Sequence, residues 1–161
     1  MSQFNELSLR FAEYRTARLD QLRRLTTQAQ HFKLALEDYL DLPAETWINS
    51  TDGIEMAYVR LGKGQPQNFE EKGTHEFSSL DGRVDFSVSV TLERGPGLFP
   101  KTHHVFQLTV AALKGGYEFT SKDFDGSFRV ATGEESFHAY EQLCAALVNK
   151  LKDGYDVNQV L

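Results

Sequence analysis

From Gln3 to Leu40 the chain contains neither Gly nor Pro, and Phe4, Leu7, Phe11 and Tyr14, then Leu22, Leu25, Ala29, Phe32, Leu36 and Tyr39, recur at spacings of three and four. Residues so spaced share one face of an α-helix. Between Tyr14 and Leu22 the seam passes through Arg18, so two steps of four interrupt an otherwise heptad-like stripe. Leu9, Leu19, Leu34 and Leu40 lie off the seam and widen the apolar surface. The pattern predicts a single amphipathic helix over residues 1–41. It should stop at Asp41-Leu42-Pro43, because a residue preceding proline is pushed out of the helical region.

The predicted length has a consequence. Nearly forty helical residues run about 57 Å, whereas a compact domain of this size has a diameter of about 40 Å. Either the helix breaks, with the β-branched pair Thr26-Thr27 as the natural place, or it overhangs its own domain. An overhanging stripe of Phe and Leu needs cover from a second chain to escape aggregation.

Beyond Trp47 the period changes to two. Ile54, Met56 and Tyr58 alternate with Glu55, Ala57 and Val59, which predicts a first strand, and the polar stretch from Gly62 to Gly73 reads as a loop. Val84, Phe86, Val88, Val90 and Leu92 alternate with Arg83, Asp85, Ser87, Ser89, Thr91 and Glu93, predicting a strand with one face on the core and one on water. Asp81-Gly82 is a hairpin turn that would join it to a shorter strand from about His75 to Leu80. A further strand follows from about His103 to Leu113. Gly115-Gly116 then turns into a second hairpin of Tyr117–Ser121 and Ser127–Ala131 around Asp125-Gly126. Such short turns imply antiparallel pairing, since parallel strands need long crossovers. Thr132-Gly-Glu-Glu135 is a capping-box pattern opening a C-terminal helix over 133–153, with Phe137, Tyr140, Cys144, Leu147 and Leu151 as its stripe. The expected architecture is one α+β domain spanning 1–161: a long N-terminal helix, a five-stranded antiparallel meander over 54–131, and a C-terminal helix.

Composition narrows the function classes. The chain has 161 residues, twelve Phe, six Tyr and one Trp, a globular rather than a disordered profile. A formal charge of -6 argues against broad phosphate-backbone binding. Cys144 is the only cysteine, so no intramolecular disulfide can form and a reducing, cytoplasmic setting is expected. The charged first thirty residues read neither as a signal peptide nor as a membrane span.

Each candidate chemistry has a plainer explanation. His103 and His104, adjacent on a strand, point to opposite faces and cannot converge on one metal ion. Asp123-Phe-Asp125-Gly126 has too few ligands for a calcium loop and reads as a hairpin tip. Cys144 and His138 lie about 240° apart around a helix, so they form no nucleophile–base pair. Glu70-Glu71 and Asp81 or Asp85 are carboxylates at no defined separation, and neither Gly62-Lys-Gly64 nor Gly115-Gly116 opens a helix after a strand as a phosphate loop would. The cationic run Arg10, Arg15, Arg18, Arg23 and Arg24 reads as the solvated side of the long helix, except that Arg18, within the seam, is placed to select register or partner. No catalytic residue, cofactor or metal is indicated.

The leading expectation is therefore a non-catalytic binding or assembly protein. It would form a homodimer through Phe4, Leu7, Phe11, Tyr14, Arg18, Leu22 and Leu25, with Leu98 and Phe99, held between Pro96 and Pro100, either docking into another protein or folding back as a lid over the core. A second expectation is a small-ligand protein or an enzyme with a pocket on the sheet near Tyr58, His104 and Tyr117. A third is an acidic inhibitor that blocks the nucleic-acid site of a partner.

Overall fold

A computed structural model describes residues 2–95, 98–133 and 137–161. The predicted helix is a single uninterrupted element, α1 (Gln3–Leu40). Ser2 caps it, its Oγ accepting the Asn5 N–H at 3.1 Å, and Asp41 ends it in the left-handed region at φ 50°. Thr26-Thr27 does not break the helix: the Thr26 hydroxyl bonds back to the Arg23 carbonyl at 3.1 Å, and the residue is buried against the core.

The strands that follow are β1 (Thr46–Ile48), β2 (Glu55–Ala57), β3 (Val59–Lys63), β4 (Glu70–Glu71), β5 (Arg83–Leu92), β6 (Thr102–Leu113), β7 (Gly116–Ser121) and β8 (Ser127–Ala131). β1 and β2 form a separate antiparallel hairpin, and the main sheet is antiparallel in the order β4-β3-β5-β6-β7-β8. The α+β class and meander therefore stand, with six strands in the main sheet rather than five. The strand expected over Ile54–Val59 is divided at Tyr58, one part pairing with β1 and the other entering the main sheet. The polar stretch expected to be all loop contributes Gly62 and Lys63 to β3 and Glu70-Glu71 to the edge. The short strand expected from His75 to Leu80 is instead a 3₁₀ turn (Thr74–Glu76) with one bridge, Leu80 to Arg83. The Asp81-Gly82 turn forms as expected, with φ of 53° and 73°, the signature of a type I′ hairpin turn.

The C-terminal segment begins as a 3₁₀ turn (Phe137–Tyr140) and continues as α2 (Glu141–Gly154). Glu134 and Glu135 of the expected capping box lie outside the described residues. One core forms where α1 and α2 meet the same face of the sheet. Phe32 is fully buried between Phe86 and Phe119, at ring-centroid distances of 6.5 and 5.9 Å, and Tyr140 packs edge-on against Phe119. Alternation in β5 supplies Val84, Phe86, Val88 and Val90 to this core.

The opposite face departs from the sequence expectation. Ser87, Ser89 and Thr91 are buried, not solvated. The segment after β3 folds back across them: Gly64 accepts a 2.7 Å hydrogen bond from Ser87, and Phe69 stacks on Arg60, the residue paired with Ser89. A side chain at Gly62 would strike the backbone carbonyl of Glu70 and, at 2.8 Å, the Phe69 ring, which explains the glycine within a strand. Further along, Trp47 of the β1–β2 hairpin stacks on His103, whose Nδ1 meets Thr91 Oγ1 at 2.8 Å.

Candidate functional surfaces

The first surface is the amino-terminal half of α1. Burial along the helix begins only near Leu22, which packs against the core; Leu25, Ala29, Phe32 and Leu36 are completely buried. Before that point the seam is exposed: Phe4, Leu7, Phe11 and Tyr14 have 76%, 65%, 64% and 60% of their surface in solvent. Leu9 and Leu19, off the seam, are exposed as well. Arg18 closes the exposed seam, its guanidinium 5.6 Å from the Tyr14 ring centroid and bonded to Gln21 at 3.3 Å. Of the residues expected to meet a second chain, Leu22 and Leu25 are thus turned toward their own domain, and Phe4 to Arg18 are not.

The second surface surrounds the Leu98–Phe99 loop. Lys101 is nearly buried, its ammonium paired with Glu93 and facing the rings of Phe99, Trp47 and Tyr58 at 4.9, 5.5 and 5.8 Å. Tyr58 also donates to the Glu93 carboxylate at 3.0 Å, and burial followed by that carboxylate raises the phenol above its usual pKa. Phe99 lies edge-on to Trp47 at 6.3 Å, and Arg94 donates to the Phe99 carbonyl at 2.9 Å. The loop therefore folds back and is clasped through Lys101, while Leu98 and Phe99 keep about half their surface in solvent. Ile48 and Ile54 of the neighbouring hairpin are also exposed. Sequence reading missed the clasp, because Trp47, Tyr58, Glu93 and Lys101 are far apart along the chain.

The third feature is a groove of about 470 Å³ on the polar face of the sheet. Its floor carries Asp85, Ser87, Gln107 and Thr109, and Lys63, Arg83 and Lys122 stand around it. Asp85 is held by the Thr109 hydroxyl at 2.6 Å. The residues expected to share one pocket do not meet. Tyr58 belongs to the clasp, Tyr117 lies on the core side of β7, and His104 bonds the Tyr155 hydroxyl near the end of α2.

The remaining candidate groups have structural roles. Cys144 is 1% exposed, and burial above all pushes its thiol up to about 12, so it is no nucleophile at neutral pH. Asp123 accepts the Gln107 N–H at 2.7 Å and anchors the β7–β8 loop. Glu70 and Glu71 pair with Lys72 and Arg60 at 3.3 and 3.9 Å. Among the described residues no three His, Cys, Asp or Glu side chains converge as metal ligands, and no helix is long and apolar enough to cross a membrane.

His103 and His104 both titrate below the usual histidine range. Burial is the main cause for each, and for His103 the neighbouring Arg60 and His104 add to it. Both rings are then neutral in the fold, and the unfolded chain binds more protons between the lowered values and about 6.5. Stability from these groups is complete above that value and declines as the pH falls through the folded values. Thermal melts at stepped pH should show Tm dropping below pH ~6.5, with a shallower drop in a His103→Gln/His104→Gln protein. An equally steep drop in the double variant would assign the effect elsewhere.

Comparison with protein-family models, with curated proteins and with solved structures gives no match.

Proposed function

We propose that this protein is a non-catalytic assembly and protein-binding module that pairs with a second copy through the amino-terminal half of α1. The observation that carries this reading is the unburied seam Phe4, Leu7, Phe11 and Tyr14 on a helix that runs past the end of its own core. A contiguous apolar stripe on a rigid element marks an interaction site, because leaving it in water forgoes the stabilisation that burial gives the side chains of the core. The clasped loop, with Leu98 and Phe99 about half exposed, offers a second apolar surface for a different protein. Sedimentation equilibrium at tens of micromolar tests the assembly directly. A mass of twice 18.3 kDa is expected, and a strict monomer at that concentration removes the reading.

The groove on the sheet favours a second function, binding of a small anionic ligand. Its volume lies in the range of ligand sites, and three of its lining residues, Lys63, Arg83 and Lys122, are cations in an otherwise acidic chain. A thermal-shift panel of phosphorylated and dicarboxylate metabolites should raise Tm for at least one compound, and Arg83→Glu should cancel that rise. A flat response across the panel removes this function.

A further inference from the structure

We infer that the second copy lies antiparallel along α1, in a register that sets Phe4 against Tyr14 and Leu7 against Phe11. This deepens the assembly reading above and rests on it. The exposed stretch is a short heptad frame in which Phe4, Phe11 and Arg18 take one seam position and Leu7 and Tyr14 the other. At 100° per residue, Arg10 flanks the seam on one side and Arg15 on the other.

A parallel pair in register would bring each residue of the seam against its own copy. Arg18 would then meet Arg18 in the apolar layer, and Arg10 of each chain would face the second copy's Arg15 across the rim, on both sides of the pair. Like charges so placed oppose association. Only the first of these clashes could be eased by the Arg18 guanidinium remaining over Tyr14, its position in the single chain.

Reversing one chain takes Arg18 out of the apolar layers and leaves a single like-charge rim contact, Arg10 with its own copy beside the twofold axis, in place of the two Arg10–Arg15 contacts. The layers become Phe4 with Tyr14, Leu7 with Phe11, and the same two repeated by symmetry, so the surface is complementary to itself as a twofold interface requires. Arg10 then lies beside its own copy near the axis, Arg15 beside the first helical turn of the second copy, and Arg18 beyond that turn, where water reaches it. The placement of the domains agrees. The core begins near Leu22, so antiparallel chains overlapping over residues 3–15 hold their sheets at opposite ends, whereas parallel chains crowd both at one end. Four layers make a small interface, which suits a dimer that dissociates on dilution.

Disulfide trapping in the full-length chain reads the orientation, because the native thiol of Cys144 is buried and cannot interfere. Leu7→Cys and Phe11→Cys proteins, one carrying a carboxy-terminal mass tag, are oxidised separately and mixed. Bridging needs Cα atoms within about 7 Å, so the mixed crosslink should dominate in the mixture and be lost when either protein is oxidised alone. Efficient crosslinking of Leu7→Cys with itself, in a protein that sediments as a dimer, overturns the antiparallel arrangement and leaves the assembly reading intact. A wild-type monomer overturns both. Arg10→Glu supplies an independent readout: the dissociation constant should be unchanged, since one like-charge pair replaces another beside the axis, whereas tightening of about fivefold, from two new exposed ion pairs with Arg15, would mean a parallel pair.

Discussion

Replacing Glu93 by Ala is expected to destabilise the fold by about 3–5 kcal/mol, the cost of leaving a buried cation without its counter-charge. Lys101 has 4% of its side chain exposed and Glu93 11%, so water cannot take over the role of the lost carboxylate. The surrounding rings of Trp47, Tyr58 and Phe99 contribute cation–π attraction, yet they are oriented by the same ammonium that the carboxylate holds. Lys101→Met should also destabilise, because it takes the paired ammonium away from a nearly buried carboxylate. The double change Glu93→Gln/Lys101→Met removes both charges while keeping volume, and should recover most of either loss. Urea unfolding followed by fluorescence reports on this site directly, since Trp47 is the only tryptophan and forms one wall of the clasp. If both single variants unfold within about 1 kcal/mol of the wild type, as exposed ion pairs do, the clasp does not hold the loop.

The second large effect concerns assembly rather than folding. Phe11→Asp should raise the dissociation constant of the proposed dimer about a thousandfold or more. Loss of a central aromatic anchor costs about 2 kcal/mol or more; the twofold axis repeats the loss, and about 4 kcal/mol corresponds to a factor of a thousand. A carboxylate facing the second copy's Leu7 would also be desolvated without a partner. Unfolding of the isolated chain should hardly change, because Phe11 is 64% exposed and lies about three turns before the core begins. Sedimentation at matched concentrations, paired with a thermal melt, separates the two effects. A variant that still dimerises as the wild type does would move the interface elsewhere, and one that unfolds would show that Phe11 serves the monomer.

Several features were decided by local sequence. The helix from Gln3 to Leu40 follows from a run without Gly or Pro, a three-and-four spacing and a proline after its end. Its overhang follows from comparing that length with the size of the domain. The Asp81-Gly82 turn and the apolar side of β5 are equally local, since a hairpin turn needs positive φ at two positions and a strand alternates with a period of two. Separation of His103 and His104 onto opposite faces has the same origin.

Tertiary structure decided what covers what. Alternation showed that Ser87, Ser89 and Thr91 share a face, but their burial depends on Phe69 and Trp47 arriving from other segments, and no periodicity within β5 records that. The clasp joins Tyr58 to Glu93 across 35 positions of sequence. Its partners carry no common spacing, and Tyr58 itself marks the point where the single expected strand divides between two sheets. The seam of α1 shows the division most plainly. Phe11 and Leu25 obey the same spacing, yet one faces solvent and the other is fully buried. Period fixes which residues share a side of a helix, and only the position of the sheet beneath it determines how far along that side burial extends.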